Sequence, residues 1–336
     1  MLTTKKDGAP SAQARVAPVI ATARLGARLE RYKYFYILLL PAVLFYFIFN
    51  YVPMYGIVLA FKHYRFNTPS ALGDLPIVSY VGQFMNMKWI GLQWFDMLWG
   101  RPDFWRAFTN TLIISFYRIL FGFPAPIILA LLMNEVQRNG LKRVYQTVYT
   151  FPHFLSWVLV AGVLFGILST NGALNQFVVM LGGSKTQFLT DTSLFRGLLV
   201  STEIWKSVGW GSIIFLAAIA GIDPQLYEAA TIDGAGRWKS LRHITWPGIT
   251  TTAVILLILQ VGNILNAGFD QILNMMNPAV YGVADIIDTY VFRMSFWEPK
   301  NFGFTTAVGL FKSVINFVLL LAANWGARLL GQQGLF

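Results

Sequence analysis

The sequence predicts an all-α integral membrane protein that crosses the bilayer six times. Hydrophobic residues make up 56% of its 336 residues and charged residues 12%, whereas roughly 25% of an ordinary soluble domain is charged. Apolar stretches recur along the chain, each close to the roughly 20 residues that an α-helix needs to cross the hydrocarbon core. Most side chains are therefore expected to face lipid rather than water.

Six stretches have the length and composition of membrane-spanning helices. They are residues 34–61, 107–133, 148–168, 195–219, 249–272 and 303–329, which place one membrane domain over residues 34–330. Pro124 and Pro126 fall within the second stretch, and Pro152 lies near the start of the third. Because proline removes a backbone donor, we expect kinks there, with the freed carbonyl groups bonded by neighbours or water.

The basic residues predict the orientation of the chain. Seven of the first 33 residues are Lys or Arg, and no apolar run precedes Tyr34, so this segment is predicted to be a cytoplasmic tail rather than a signal peptide. The basic loops 135–147 and 222–248 then also lie in the cytoplasm, as the positive-inside rule expects. Both termini are therefore predicted to be cytoplasmic, and residues 62–106 to form an extracytoplasmic loop. The formal charge of +11 has two explanations, this bias and attraction to anionic lipid or an acidic solute.

The loop over residues 222–248 has the signals of a helix-turn-helix elbow. Asp223 is a good N-cap and Pro224 suits the first helical position, so a short helix should follow. The glycines of residues 233–236 then break that helix. Residues 237–243 are predicted to form a second short helix, which ends before Pro247.

This elbow resembles the coupling loop of the permease subunits of ABC importers, whose signature is Glu-Ala-Ala, Asp-Gly-Ala, an apolar position and Ile-x-x-Pro. The matching residues, with the preceding tyrosine, are Tyr227, Glu228, Ala229, Ala230, Asp233, Gly234, Ala235, Leu241, Ile244 and Pro247. The resemblance implies that they dock on a partner ATPase and transmit its closure to the membrane helices. Trp246 stands where the family commonly has Leu, and a surface helix pair packed on lipid headgroups is the alternative.

The amino-terminal third is similar to the polysaccharide branch of carbohydrate permeases, which includes alginate importers. The similarity lies in residues 36–42, 50–62 and 104–115, and the likeness extends from Arg31 to the end of the chain. It implies a type I ABC importer fold with six membrane helices and a cytoplasmic coupling loop, in the bacterial inner membrane. It also implies a second homologous permease, an ATPase dimer, an extracytoplasmic solute-binding protein and an oligosaccharide substrate.

The resemblance further implies a transport subunit that is not an enzyme. ATP and Mg²⁺ would bind to the partner ATPase, and this chain would hold no cofactor. No nucleotide-binding or metal-binding motif is found, and no nucleic-acid partner is expected. Two alternatives stay open: a secondary transporter or channel with proton coupling through Glu203 and Asp270, and a membrane enzyme that acts on lipid-linked sugars.

Polar side chains recur every three or four residues along the fifth predicted helix, so they are expected to share one helix face. They are Gln260, Asn263, Asn266, Asp270 and Asn274. At 1.5 Å per residue, Gln260 lies about 17 Å from a start at Ile249, close to the bilayer centre. Amide side chains suit the hydroxyl groups of a sugar, but they also bond between helices, and the sequence favours neither role.

Charged residues within the predicted spans are costly and therefore suggest function. They are Arg118, Glu203, Lys206 and Lys312. If Lys206, Lys312 or Arg118 faces the pathway unpaired, the pore would favour an anionic solute such as a uronate oligosaccharide. Alternatively, Glu203 and Lys206 neutralise each other.

Two features of the predicted outer loops have more than one interpretation. Trp89, Trp94, Trp99 and Trp105 would lie in the headgroup layer or would offer flat faces to a sugar ring. Residues 171–192 and 274–302 are predicted to be outward loops. Asp285 and Asp288 in the second loop are expected to be solvated or to cap a helix, with a contact to the binding protein as the alternative.

Overall fold

The computed structural model describes residues 30–63, 87–297, 301–331 and 334–335. The predicted cytoplasmic tail and the part of the 62–106 loop between residues 63 and 87 lie largely outside this range. The chain divides into two units, residues 1–56 and residues 57–336. Apart from one isolated bridge between Lys62 and Trp89, the described secondary structure is helical.

Six segments are long and apolar enough to cross a membrane, which confirms the predicted fold class. They are span 1, Lys33–Phe61; span 2, Pro102–Asn134; span 3, Trp157–Met180; span 4, Thr192–Ala220; span 5, Arg237–Gly262; and span 6, Phe302–Leu329. The loop between spans 4 and 5 defines the elbow side of the protein, and the opposite side is called the far side.

Span 1 opens with the helix Lys33–Tyr46, which contains Pro41. A wide π turn, Phe47–Tyr51, and the short helix Val52–Met54 follow, and the 3₁₀ segment Tyr55–Phe61 ends the span. Its large apolar side chains are exposed between residues 34 and 55. Such a surface is suited to a hydrocarbon environment.

Span 2 is irregular where the prolines predict it. The helix Pro102–Tyr117 widens into a π turn over Arg118–Gly122 before the helix Pro124–Asn134 begins. Pro124 cannot donate to the preceding turn, and the extra residue of a π turn accommodates that loss.

The third predicted helix, residues 148–168, is wrong at its start. An amphipathic helix, Asn139–Thr150, ends there, and the 3₁₀ turn Phe151–Phe154 follows it. Pro152 lacks the donor that a continuous helix needs, and the Ser156 hydroxyl caps a new helix, Trp157–Leu168. The turn therefore precedes span 3, which consists of the helix Trp157–Leu168 and a separate helix, Ala173–Met180.

The elbow begins as predicted. The Asp223 carboxylate accepts from the N–H of Gln225 at 3.0 Å and caps the helix Pro224–Ile232. Gly234 then turns the chain with a φ of +69°. The predicted end before Pro247 is wrong, because the helix from Arg237 passes through a π turn, Leu241–Thr245, into the helix Trp246–Gly262. Pro247 is tolerated because it lies in the first turn of that helix.

Span 5 ends ten residues earlier than the sequence predicts, at Gly262 rather than Ile272. Gly268 has a φ of +85°, which an α-helix cannot contain, and a separate short helix, Phe269–Met275, begins after it. The five polar residues of residues 260–274 therefore do not share one helix face, and this prediction is wrong.

The chain between spans 5 and 6 is folded against the membrane helices. Its helices after Met275 are Pro278–Val280, Tyr281–Ala284 and Ile287–Phe296. Asp285 is 1% exposed and forms an ion pair with Arg293 at 2.9 Å, while Asp288 forms one with Lys312 on span 6 at 2.5 Å. Of the two roles expected, solvation or capping of a helix, solvation is wrong for both acids, because each forms an ion pair with a nearby cation.

Three buried clusters hold residues 57–336 together. The first joins spans 2 and 6 through Phe104 and Phe304, and the third joins spans 2, 4 and 5 on the elbow side. The second packs Ile114 and Phe195 against the segment after span 5. Spans 2 and 4 therefore form the centre of the unit.

We expect Gly209→Ala to destabilise the protein. A Cβ atom at Gly209 would overlap the backbone carbonyl of Tyr149, so the helix Asn139–Thr150 would have to move away from span 4. The cost should be about 1 to 3 kcal/mol, measured as a lower apparent Tm in detergent. Gly162→Ala is the control, because nothing lies within 4 Å of a Cβ atom there. Equal Tm values for the two variants would contradict the packing.

Candidate functional site

A polar cavity of about 160 Å³ lies among spans 2, 4 and 5. Its lining consists of Ser115, Arg118, Ile119, Gly122, Glu203, Ile204, Ser207, Gln260, Asn263, Ile264 and Asn266. Four of the predicted pathway residues, Arg118, Gln260, Asn263 and Asn266, therefore line one cavity. A charge of each sign, three amides and two hydroxyl groups meet between apolar helices.

Arg118 is held at the edge of this cavity by the break after span 5. A Nη2 atom of its guanidinium group donates to Oε1 of Gln271. The guanidinium group also lies against Gly268, where a Cβ atom would overlap it. Glycine is therefore required at position 268 for two reasons, the positive φ and the space for Arg118.

Gln271 is the residue that sequence reasoning missed. Its side chain is fully buried, and its Nε2 atom donates to the carbonyl of Leu199 and to Oγ1 of Thr202, both at 2.8 Å. It therefore links Arg118 on span 2 to span 4. The predicted stripe passed over Gln271 because that pattern assumed one continuous helix from residue 260 to residue 274.

The cavity contains polar groups that the protein does not satisfy. Nε of Arg118 and Oγ of Ser115 are buried without a hydrogen-bond partner among the described residues. Within the same described ranges, neither Arg118 nor Glu203 forms an ion pair. Buried polar atoms are rarely left unpaired in proteins, so these groups are available to a solute or to water.

Two amides of the cavity are hydrogen-bonded to each other, and two predicted polar residues lie outside it. Asn263 donates to the carbonyl of Leu259 at 3.0 Å and accepts from Asn266 at 3.1 Å, so this pair is held in place. Asp270 and Asn274 do not line the cavity. Asp270 is exposed, and the amide of Asn274 donates to its backbone carbonyl.

The two predicted pathway lysines are engaged elsewhere. Nζ of Lys206 donates to the carbonyl of His153 at 2.7 Å and lies 5.5 Å from the ring centroid of Trp157. Lys206 thus binds the turn that precedes span 3. Among the described residues it forms no ion pair with Glu203. Lys312 is neutralised by Asp288, so neither lysine is an unpaired charge in this cavity.

The elbow exposes five of its ten predicted coupling residues. Glu228, Ala229, Asp233, Gly234 and Pro247 are exposed, whereas Tyr227, Ala230, Ala235, Leu241 and Ile244 are partly buried. The Tyr227 hydroxyl lies 3.0 Å from Oγ1 of the buried Thr245, so it braces the elbow internally.

Four large apolar residues of the elbow, Leu226, Ile232, Trp238 and Trp246, are exposed and were not predicted as coupling residues, and two of them stand out. Ile232 is 87% exposed and Trp238 is 74% exposed. Both lie outside the Glu-Ala-Ala signature, which is why the motif did not indicate them. Exposed apolar side chains of this size on a polar loop are typical of protein contact sites.

Trp94 takes neither of the two roles predicted for the loop tryptophans. It is 7% exposed and its Nε1 atom donates to the carbonyl of Lys62 at 3.0 Å. Trp89, Trp99 and Trp105 are exposed, and Trp105 donates to the carbonyl of Trp99. Both interpretations stay predictions for these three residues.

Residues 122–331 match the family described as "Binding-protein-dependent transport system inner membrane component". The match spans more than half of the chain, so the chain belongs to this family of inner-membrane transport components. It is 43% identical over 327 residues to Protein LplB of Bacillus subtilis, which covers 96% of this chain and 98% of LplB. It is also 38% identical over 334 residues to the polygalacturonan/rhamnogalacturonan transport system permease protein YteP of Bacillus subtilis, with 99% of each chain covered.

Solved structures with the same fold are ABC transporters. A chain of the bacterial alginate ABC transporter in complex with alginate pentasaccharide-bound periplasmic protein has a TM-score of 0.80 and 36% identity, covering 93% of this chain and 100% of that chain. A chain of a bacterial ABC transporter involved in the import of the acidic polysaccharide alginate has a TM-score of 0.79 and 38% identity, covering 91% and 98%. The resemblance to ABC importer permeases and to their polysaccharide branch is confirmed.

We expect Lys206→Met to lower stability without changing the affinity for a transported solute. The variant removes the donor to the His153 carbonyl in an apolar environment, at a cost of about 1 to 3 kcal/mol. The apparent Tm in detergent should fall, and Lys206→Arg, which keeps a cationic donor, should recover part of the loss. An unchanged Tm with a raised KM for the solute would instead return Lys206 to the pathway.

Proposed function

We propose that this chain is the permease subunit of an ATP-driven oligosaccharide importer and forms half of a translocation pathway for an acidic oligosaccharide. The observation that carries the proposal is the cavity among spans 2, 4 and 5, where the cation of Arg118 bonds to the neutral amide of Gln271 and forms no ion pair with any residue that the structure describes. The elbow side is the cytoplasmic side, and the far side faces the solute-binding protein.

The chemistry of the cavity suits a sugar. Amide and hydroxyl groups both donate and accept, as sugar hydroxyl groups do. A guanidinium group without a carboxylate partner forms stronger hydrogen bonds to a carboxylate than to a neutral group. The names of YteP, a polygalacturonan/rhamnogalacturonan permease, and of the alginate transporters support the same substrate class.

The elbow is proposed to be the site of ATPase coupling. ATP and Mg²⁺ would bind to an ATPase dimer on the cytoplasmic side, and a second homologous permease would complete the pathway. Ile232 and Trp238 would anchor the elbow in the ATPase, while Glu228 and Asp233 lie on the same exposed loop. Because span 5 continues the elbow helix without a break, a movement of the elbow would move the Gln260 end of the cavity.

A secondary transporter coupled to protons through Glu203 and Asp270 is less well supported. Only Glu203 lines the cavity, and Asp270 is exposed outside it. The exposed apolar residues of the elbow would also have no role in such a protein. The ATP-driven proposal accounts for both the cavity and the elbow.

We expect Arg118→Gln to reduce the preference for acidic substrates. In a reconstituted complex with the second permease, the ATPase and the binding protein, the KM for a uronate oligosaccharide should rise about tenfold or more. The KM for a neutral oligosaccharide of equal length should change little. Arg118→Lys keeps the charge and should retain part of the preference. Equal changes for both sugars would assign Arg118 a structural role.

Ile232→Asp and Trp238→Asp should weaken ATPase capture. Both side chains are largely exposed, so the free energy of unfolding should change by less than about 0.5 kcal/mol. Co-purification of the ATPase and sugar-stimulated ATP hydrolysis should both fall. Gln137→Asp, an exposed residue of another loop on the elbow side, is the matched control. Full capture in both elbow variants would contradict docking through this surface.

A further inference from the structure

A second cavity, of about 590 Å³, lies between spans 2 and 4 towards the far side. Its lining residues are Tyr117, Phe121, Thr192, Ser193, Arg196, Gly197, Val200, Ser201 and Ile204. Ile204 lines both this outer cavity and the polar cavity described above. The two cavities therefore adjoin along span 4.

Arg196 lines the outer cavity, and its guanidinium group donates to neutral acceptors. Its Nε atom donates to the carbonyl of Val283 at 3.2 Å, and its Nη2 atom donates to Oδ1 of Asn110 at 2.7 Å. The amide of Asn110 is fixed in turn, because it donates to the carbonyls of Gly282 and Asp285, both at 3.1 Å. Arg196 is thus held rigidly by neutral acceptors.

The nearby carboxylates are occupied by other groups. The Asp285 carboxylate accepts from Arg293 and Thr289, at 2.9 and 2.8 Å. Asp191 accepts from the hydroxyl and the N–H of Ser193, which lower its pKa. Across the residues that the structure describes, Arg196 forms no ion pair. A cation in a membrane span is costly unless it faces protein, a pathway or a ligand.

Arg196 and Glu203 are seven residues apart, so they lie on the same face of span 4, about 10 Å apart along its axis. Arg118 lines the same cavity as Glu203. We propose that the outer cavity is a second sugar subsite, in which Arg196 binds one carboxylate of an acidic oligosaccharide while Arg118 binds another. This inference rests on the proposed importer function and deepens it.

The lining of the outer cavity supports a sugar rather than a lipid. Thr192, Ser193 and Ser201 supply hydroxyl groups, and Tyr117 and Phe121 supply aromatic side chains to the same lining. The two arginines line different cavities that adjoin at Ile204, so a solute must extend from one cavity into the other to contact both. The transporter therefore selects oligosaccharides with carboxylates on more than one residue over single uronates.

The test compares uptake of a uronate tetrasaccharide, a neutral tetrasaccharide and a single uronate by the reconstituted complex. Arg196→Gln should raise the KM for the uronate tetrasaccharide about tenfold and leave the neutral KM within about twofold. Arg196→Lys should lie between Arg196→Gln and the native protein. Arg106→Gln, on an exposed arginine outside the cavity, is the control.

A second pair of variants does not disturb the hydrogen bonds of Arg196. Nothing lies within 4 Å of a Cβ atom at Gly197, so Gly197→Glu places a carboxylate in the outer cavity and Gly197→Gln places a neutral side chain of equal size. We expect only Gly197→Glu to raise the KM for the uronate tetrasaccharide.

The outcomes separate the two proposals. Equal KM changes for acidic and neutral sugars in Arg196→Gln, with identical behaviour of the two Gly197 variants, would overturn the outer subsite and leave the importer intact. The native complex can also be assayed in detergent with and without added anionic lipid. If the lipid raises the KM of the native complex for the uronate tetrasaccharide but not that of Arg196→Gln, Arg196 binds a lipid headgroup and the outer subsite is overturned. If no oligosaccharide stimulates ATP hydrolysis by the native complex, the proposed function itself fails.

Discussion

Arg118 on span 2 and Lys206 on span 4 carry positive charges into the apolar part of the protein, and the packing of spans 2 to 5 depends on the groups that bind them. Lys206 donates to the carbonyl of His153, which lies in the 3₁₀ turn that precedes span 3. Arg118 donates to Gln271, just after the break that ends span 5. Hydrocarbon offers no hydrogen-bond partner, so each charge needs an acceptor from a neighbouring segment, and a broken helix provides one.

The same irregularities create the polar cavity. Arg118 lies in the π turn Arg118–Gly122 of span 2, and the end of span 5 at Gly262 frees Asn263 and Asn266 from a regular helix. The π turn and the early end of span 5 each cost hydrogen bonds within a helix. The hydrogen bonds that Gln271 forms with Arg118, Leu199 and Thr202 offset part of that loss. Irregular backbone at membrane depth is tolerated where it is buried in protein or lines a cavity, and both conditions hold here.

Span 4 connects the parts that the proposed function requires. It passes Arg196 in the outer cavity and then Glu203 and Lys206, and it ends at the elbow. The elbow returns directly into span 5, and its fold is braced by the contact between Tyr227 and Thr245. Glu135 at the end of span 2 also lies 3.9 Å from Arg237 of the elbow. Movement of the elbow can therefore reach all three spans that line the polar cavity.

The sequence by itself determined the number of spans, the fold class, the first helix of the elbow and the family, because length, hydrophobicity, Asp223-Pro224 and the Glu-Ala-Ala signature are local properties. It also indicated Arg118, Gln260, Asn263 and Asn266 as pathway residues, since polar groups in apolar stretches are conspicuous. Asp270, Asn274, Lys206 and Lys312 do not line the polar cavity, because their partners are distant in the chain or their helix ends early. Only the tertiary structure decided that Gln271 and Gly268 hold Arg118, that Lys206 binds the His153 carbonyl and that Arg196 lines a cavity without an ion pair to any described residue. These contacts depend on which segments pack against each other in the bundle. Hydrophobic periodicity along one helix does not identify those neighbouring segments.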